Sequence, residues 1–405
     1  MGTIEKTGSA VPSAQAAVKP DAIRRLLAPA ALLLLSVVVA LCLVEAGLRS
    51  AHYGEGNLIH LEKFVEYDPG LGWRHKRNFS AEFINDETHT TLRYNAQGWR
   101  GAESPYSKPP NVFRILVLGG SFIDGYSVQV QDRLTEVLES NLGPRFEVIN
   151  LGVVGYGTDQ DLLVLEQDGL RYQPDLVVLA FSYNDVWRNG SRYFANSARR
   201  VQKPLFVAGE DESVTLTNVP VPPPVPTTQE RFKLYQLIRT VVKGTPLLHG
   251  VAIKAGVADA PGLVWGEEFP VYRRTENATF AKSWAVTQAL LRKMKQESQQ
   301  RGIGFVVFYI PARIELSPEE WSSAHLPAEY DPGKVVSRLS TICREEDIPL
   351  IDPSSRFQEA AKQGPLFYLH DTHWNPAGHR LAAGILAEYV QNTAGGKGGA
   401  APASH

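Results

Sequence analysis

RILVLGGSF, residues 114–122, is the stretch from which the fold can be read: an apolar run that breaks off at two glycines and a serine. Such a run suits a strand buried inside a parallel sheet, and downstream of it apolar runs keep alternating with amphipathic segments. The strand candidates are 114–118, 146–149, 176–181, 305–310 and 350–351. Between the first two, Leu134, Val137, Leu138 and Leu142 lie on one helical face, and Gly143 with Pro144 ends the helix. A second helix carries Leu162, Leu163 and Leu165, and a third aligns Phe280, Trp284, Leu291 and Met294. The expected class is α/β, with a mostly parallel five-stranded sheet between helical layers.

Outward from this core the chain divides by composition. Residues 1–22 mix small and polar residues without period and are expected to be a disordered cytoplasmic start. The 19 residues 26–44 carry no charge, long enough to span a bilayer, so an uncleaved anchor is expected over 23–48, crossing through 26–44. Lys6, Lys19, Arg24 and Arg25 precede the run and only Arg49 and Lys63 follow closely, which keeps the N-terminus cytoplasmic and exports the remainder. A long signal peptide cut near Ala46 or Ala51 would export it equally. Residues 49–110, punctuated by Pro, Gly and Trp, read as a small β-rich collar without visible chemistry. The main domain is expected over 111–393, interrupted at 188–275 by a Pro-rich insertion with an amphipathic helix around 232–242, either a lid or a surface excursion. Residues 394–405 read as a flexible tail.

Composition narrows the function classes. Lys and Arg total 41 against 43 acidic residues, so no global field attracts nucleic acid. Cys42 and Cys343 are the only cysteines and are poorly placed to meet, so no disulfide framework is expected.

The chemistry sits at strand ends, where loops of a parallel sheet converge on a crevice. Gly119 and Gly120 let the backbone turn sharply and expose the Ser121 hydroxyl at a helix start, which suits a nucleophile whose attack creates an oxyanion. A phosphate cradle is the alternative, but neither G-K-[ST] nor G-x-G-x-x-G is present. After the second strand, Asn150 to Thr158 holds three glycines, and the Gly155 N–H is a candidate oxyanion donor. The third strand ends in Ser182-Tyr-Asn-Asp185, where the Asn184 amide is another. Near the C-terminus, Asp371-Thr-His373 precedes a helix capped by Asn375 and Pro376, pairing an imidazole base with a carboxylate that would orient it. A metal bound by His370, Asp371, His373 and His379 is the competing idea; neither metal nor cofactor is expected. Asp124 and Asp185 read as structural, while Tyr156, Tyr183, Trp187 and Trp374 are weak candidates for stacking on a sugar.

These four ordered blocks resemble the SGNH hydrolase superfamily, named for Ser, Gly, Asn and His, across roughly residues 113–390. The resemblance implies a flavodoxin-like three-layer fold and ester chemistry by a serine acyl-enzyme. It implies Ser121 as nucleophile, the Ser121 N–H, the Gly155 N–H and Asn184 as oxyanion hole, and Asp371 and His373 as its partners. Two departures stand out: Gly120 replaces the usual Asp of Gly-Asp-Ser, and Asp-x-x-His is shortened to Asp-x-His, as in relatives that O-acetylate exopolysaccharide. The anchor, the Gly98-Trp-Arg-Gly101 collar and the 371–378 ending also look like anchored bacterial members, which places the domain outside an inner membrane. The expected activity is an esterase on O-acetyl or other acyl esters of an extracytoplasmic glycan. The alternatives are an O-acyltransferase of an exported polysaccharide, or a silent glycan-binding or assembly protein that keeps the fold.

Overall fold

The computed structural model describes residues 20–51, 64–194, 201–209, 213–224, 232–245, 269–323, 326 and 328–395. The first nineteen residues, the tail beyond 395 and most of the 225–268 stretch, on which several expectations fall, lie outside the described residues.

Two compact units divide the chain. The first contains helix α1 (Pro20–Ser50) and, from inside the insertion, an amphipathic helix over Lys233–Gly244. Its segment Ala31–Ser50 is long and apolar enough to cross a membrane and is wholly unburied.

The second unit opens with the collar, two antiparallel hairpins: β1 (Val65–Asp68) with β2 (Gly72–His75), and β3 (Phe79–Ile84) with β4 (His89–Tyr94). Five parallel strands follow: β5 (Phe113–Leu118), β6 (Phe146–Asn150), β7 (Leu176–Phe181), β10 (Gly304–Tyr309) and the two-residue β11 (Leu350–Ile351), ordered 11-10-7-5-6 across the sheet. From inside the insertion, β8 (Leu205–Ala208) and β9 (Val214–Thr217) form a separate hairpin.

Alternation along each strand explains the three layers. Ile115 and Val117 point to one side with Leu176, Val178, Val306 and Phe308, while Leu116 and Leu118 point to the other with Val177, Leu179, Phe305 and Val307. Because both faces need covering, both attract apolar helix stripes. Helix α3 (Leu134–Leu142), which follows the short α2 (Ser121–Asp124), buries Leu134 and Leu138 on the first face beside Leu386 and Val390 of the C-terminal helix over Pro376–Gly395. The second face is covered by α4 (Thr158–Gln167), by the helix over Ala278–Gln299 and by that over Lys334–Glu345. The structure is therefore an α/β three-layer sandwich preceded by a β-rich collar and one apolar helix.

One buried acid marks the fold with a pH signature. Glu315 belongs to a half-buried residue, but its carboxyl is closed in by the hydroxyls of Tyr272 at 2.6 Å and Tyr309 at 2.7 Å and accepts the Ala312 N–H at 2.9 Å. Burial pushes this carboxyl up from 4.5 to about 7. A folded-state pKa above the unfolded one stabilises fully below the unfolded value and loses that contribution as pH rises through the folded value. Relative to Glu315→Gln, the native chain should lose on the order of 2 kcal/mol between about pH 5 and about pH 8. Urea midpoints measured across that interval check this; parallel profiles for the two chains would refute it.

Candidate active site

Three strand ends carry residues expected at the site. β5 runs into Gly119, whose φ of 151° is open mainly to glycine and where a Cβ would lie 2.8 Å from Ile123 and 3.1 Å from Ala180. The chain can therefore fold back against the sheet, and Ser121 emerges at the first position of α2. At Gly120 an added Cβ would come within 3.2 Å of the Tyr156 carbonyl and 3.4 Å of the Arg188 guanidinium, so space for a side chain is short there. Two arginines donate to carbonyls around this turn. Arg188 donates to Tyr156 O at 2.9 Å, and Arg100 of the Gly-Trp-Arg-Gly segment donates to the carbonyl of Asp124 at 3.1 Å and to that of Gly125.

The loop after β6 turns through Gly155 at φ 84°, where a Cβ would lie 2.7 Å from the Phe194 ring. After β7, helix α5 (Tyr183–Asn189) starts with a capping box. Asp185 accepts from the Ser182 N–H at 2.8 Å and the Ser182 hydroxyl at 2.9 Å, which fixes the turn carrying Asn184. Asp185 is thus structural, and burial raises its pKa.

Ser121 Oγ lies 2.7 Å from His373 Nε2, although 252 residues separate them in sequence. On the other side of the ring, Nδ1 lies 2.5 Å from Asp371 Oδ1, which also accepts the His373 backbone N–H at 3.2 Å. With a carboxylate beside it, Nδ1 carries the proton, leaving Nε2 to accept from the serine hydroxyl. Burial by itself would raise the Asp371 pKa, but hydrogen bonds from His373 and Tyr126 outweigh it and hold the carboxyl below its usual range.

Two residues that sequence reasoning passed over complete the arrangement. Tyr126 donates to Asp371 Oδ2 at 3.0 Å, and its ring stands 5.1 Å from that of His373. Glu87, at the β3–β4 turn, accepts the backbone N–H groups of Leu369 at 2.5 Å and of His370 and Asp371 at 2.8 Å. Desolvation would raise the Glu87 pKa, but the three backbone donors together outweigh it and lower it on balance. From the opposite side Arg313 donates to the carbonyls of Tyr368 at 2.9 Å and Leu369 at 2.7 Å. The collar, expected to be without chemistry, therefore supplies the clamp of the loop that carries Asp371 and His373. Nothing local in the sequence marked either residue. Glu87→Ala should lower kcat for ester turnover by about tenfold with KM little changed, as expected for loss of positioning rather than of contact with substrate; a change confined to KM would contradict the clamp.

Other expected site residues are placed differently. Tyr156 and Trp374 are fully buried, Tyr156 bonding to the Trp73 carbonyl and Trp374 packing on Phe122 and Phe357, so neither ring is presented to a sugar. Tyr183 and Trp187 are half-buried, with Tyr183 against Tyr272 at 5.5 Å. Asp124, read as a structural residue beside Gly125, ends α2 and is buried, 3.4 Å from His75 Nε2 of the collar. His379 is also buried. Its Nδ1 accepts the Leu134 N–H at 3.2 Å, and burial with nearby Arg133 lowers its pKa to about 3, so it is a neutral packing residue. Among the described residues no cluster of three or more His, Cys, Asp or Glu is arranged to hold a metal.

Residues 267–404 match the family model described as "SGNH hydrolase-like domain, acetyltransferase AlgX". The alginate biosynthesis protein AlgX of Pseudomonas aeruginosa is 30% identical over 124 residues, 30% of this chain and 25% of that protein. The probable alginate O-acetylase AlgJ of Pseudomonas putida is 26% identical over 133 residues, 32% of this chain and 34% of that one. The chain thus spans about a third or less of these curated relatives. Among solved structures, a lipase/acylhydrolase from Enterococcus faecalis aligns with 70% of this chain and 97% of its own, at 14% identity and a TM-score of 0.36.

Proposed function

We propose, from the premise that this chain carries an SGNH hydrolase-like domain, that it works on acyl esters through an acyl-enzyme on Ser121. The observation that carries the reading is the unbroken relay from Ser121 Oγ through His373 to Asp371, at 2.7 and 2.5 Å. His373 Nε2 takes the serine proton as Oγ attacks the ester carbonyl. The tetrahedral oxyanion is received by the N–H groups of Ser121 and Gly155 and the Asn184 amide, each such donor contributing about 2.7–4 kcal/mol to the transition state. Collapse releases the alcohol, protonated by His373, and leaves Ser121 acylated. An acceptor hydroxyl then gives its proton to His373 and takes the acyl group, and a serine hydroxyl is regenerated.

The acceptor decides whether this is hydrolysis or transfer. Transfer of acetyl to a polysaccharide hydroxyl is favoured by the description of the matching family as an acetyltransferase and by relatives named for alginate acetylation. Helix α1 is read as a single-pass anchor that leaves the domain on the extracytoplasmic side of a bacterial inner membrane. Incubating the chain with an aryl acetate, with and without oligosaccharide, and weighing the sugar by mass spectrometry tests the choice. Acetylated sugar formed at the expense of free acetate supports transfer, acetate alone supports an esterase, and no acyl-enzyme in either condition refutes both.

A further inference from the structure

We infer that the insertion helix Lys233–Gly244, here α6, is a membrane-surface helix that lies on anionic lipid headgroups where α1 leaves the bilayer. The inference rests on the reading of α1 as a bilayer span. Its sequence repeats in helical register: Leu234, Tyr235, Leu237, Ile238, Val241 and Val242 fall on one face, and Gln236, Arg239, Thr240 and Lys243 on the other. A helix of a soluble surface would bury the first set. Here Leu234 and Leu237 are half-buried, yet Phe232, Tyr235, Ile238 and Val241 leave 49, 44, 52 and 49% of their surface open. An apolar ridge of that extent in water calls for a cover.

The cover is indicated by what α6 is fastened to. Glu45 is the first charge after the uncharged run 26–44, so it marks the level at which α1 reaches the headgroups. Its carboxylate accepts the backbone N–H of Lys233 at 3.0 Å and of Leu234 at 2.7 Å, acting as an N-terminal cap from another helix. Arg49 donates to the same carboxylate at 2.7 Å and fixes its direction. α6 is therefore pinned by its first turn to α1 at the residue that ends the uncharged run. In the sequence, Arg239 and Lys243 recur at helical spacing away from the apolar positions, the composition typical of helices that lie in the interfacial plane on anionic headgroups.

The test uses the full-length chain with Cys42→Ala and Cys343→Ala, each carrying one new cysteine at Leu35, Gln236, Ile238 or Val241 and labelled with an environment-sensitive fluorophore. Each is reconstituted into vesicles of phosphatidylcholine with or without phosphatidylglycerol, containing lipids spin-labelled near the headgroup or deep in the chain. The expected result is about twofold quenching at Ile238 and Val241 by the shallow label, stronger with phosphatidylglycerol, and little at Gln236. Deep quenching at Leu35 reports the span separately. If Leu35 is quenched while Ile238 and Val241 behave as in water, the surface-helix inference is overturned and the anchor stands. Shielding of both without lipid quenching, as a second copy or another protein would give, also overturns it. If Leu35 itself escapes quenching, the anchor reading fails and takes this one with it.

Discussion

Replacing Ser121 with alanine is expected to abolish turnover of acyl esters, lowering kcat by roughly 10⁴ to 10⁶ and removing the acyl-enzyme adduct from the intact-mass spectrum. The size follows from geometry. The serine oxygen is the atom that makes the covalent bond, and the 2.7 Å contact to His373 Nε2 gives that base no second function in its absence. His373→Ala should cost nearly as much, and the double substitution hardly more than either alone, because members of one proton relay act as a unit. A protein that only bound glycans would show no such pattern: its ligand affinity would survive both changes and no adduct would form in the native chain. Stopped assays with an aryl acetate, together with intact-mass measurement of all four chains, separate the cases. Turnover in Ser121→Ala within tenfold of native would end the acyl-enzyme reading.

The second large effect belongs to Asp371. Asp371→Asn keeps the shape but offers an amide where His373 Nδ1 needs an acceptor, which favours the tautomer with its proton on Nε2, facing the serine. A loss of roughly 10⁴ in kcat is expected, with circular dichroism unchanged. Tyr126→Phe removes only one neutral donor to the same carboxylate, so about fivefold is expected, in line with about 1 kcal/mol for such a bond. The pH behaviour of the native chain distinguishes the two roles. Burial pulls the Asp371 pKa up, but the bonds from His373 and Tyr126 bring it below the ordinary carboxylate range. Its stabilising contribution is accordingly complete above the ordinary carboxylate pKa and is lost only as pH falls through the depressed value. Asp371 should thus contribute no acid limb to the rate profile near neutrality, whereas Tyr126→Phe, by removing a donor, should move the carboxyl pKa upward. A carbon-13 titration of the Asp371 carboxyl in both chains measures this, and an unchanged or lower value in the variant would remove Tyr126 from the site.

The sheet was legible because each strand is an apolar run closed by a turn signal, and its alternation between two covering layers needs no long-range information. That Ser121 and His373 could meet was legible for a related reason: parallel strands put their C-terminal ends on one edge, where the loops that follow converge. The amphipathic period around 232–242 was equally plain, but not that Glu45 would cap that helix.

What the linear chain could not disclose is which distant backbone groups a single carboxylate or arginine would satisfy. Glu87 sits in an ordinary hairpin turn, and only folding brings it to the N–H groups of 369–371, nearly three hundred residues away. In the same way the space denied to a side chain at Gly120 and the burial of Tyr156 and Trp374 exist only once the collar and the sheet share one core. Periodicity and strand-end chemistry are local, so the sequence by itself determined the layered α/β plan and the nucleophile, base and carboxylate candidates. Hydrogen-bond pairing and exclusion of volume act between surfaces that meet only in three dimensions, and the tertiary structure alone decided how those candidates are held.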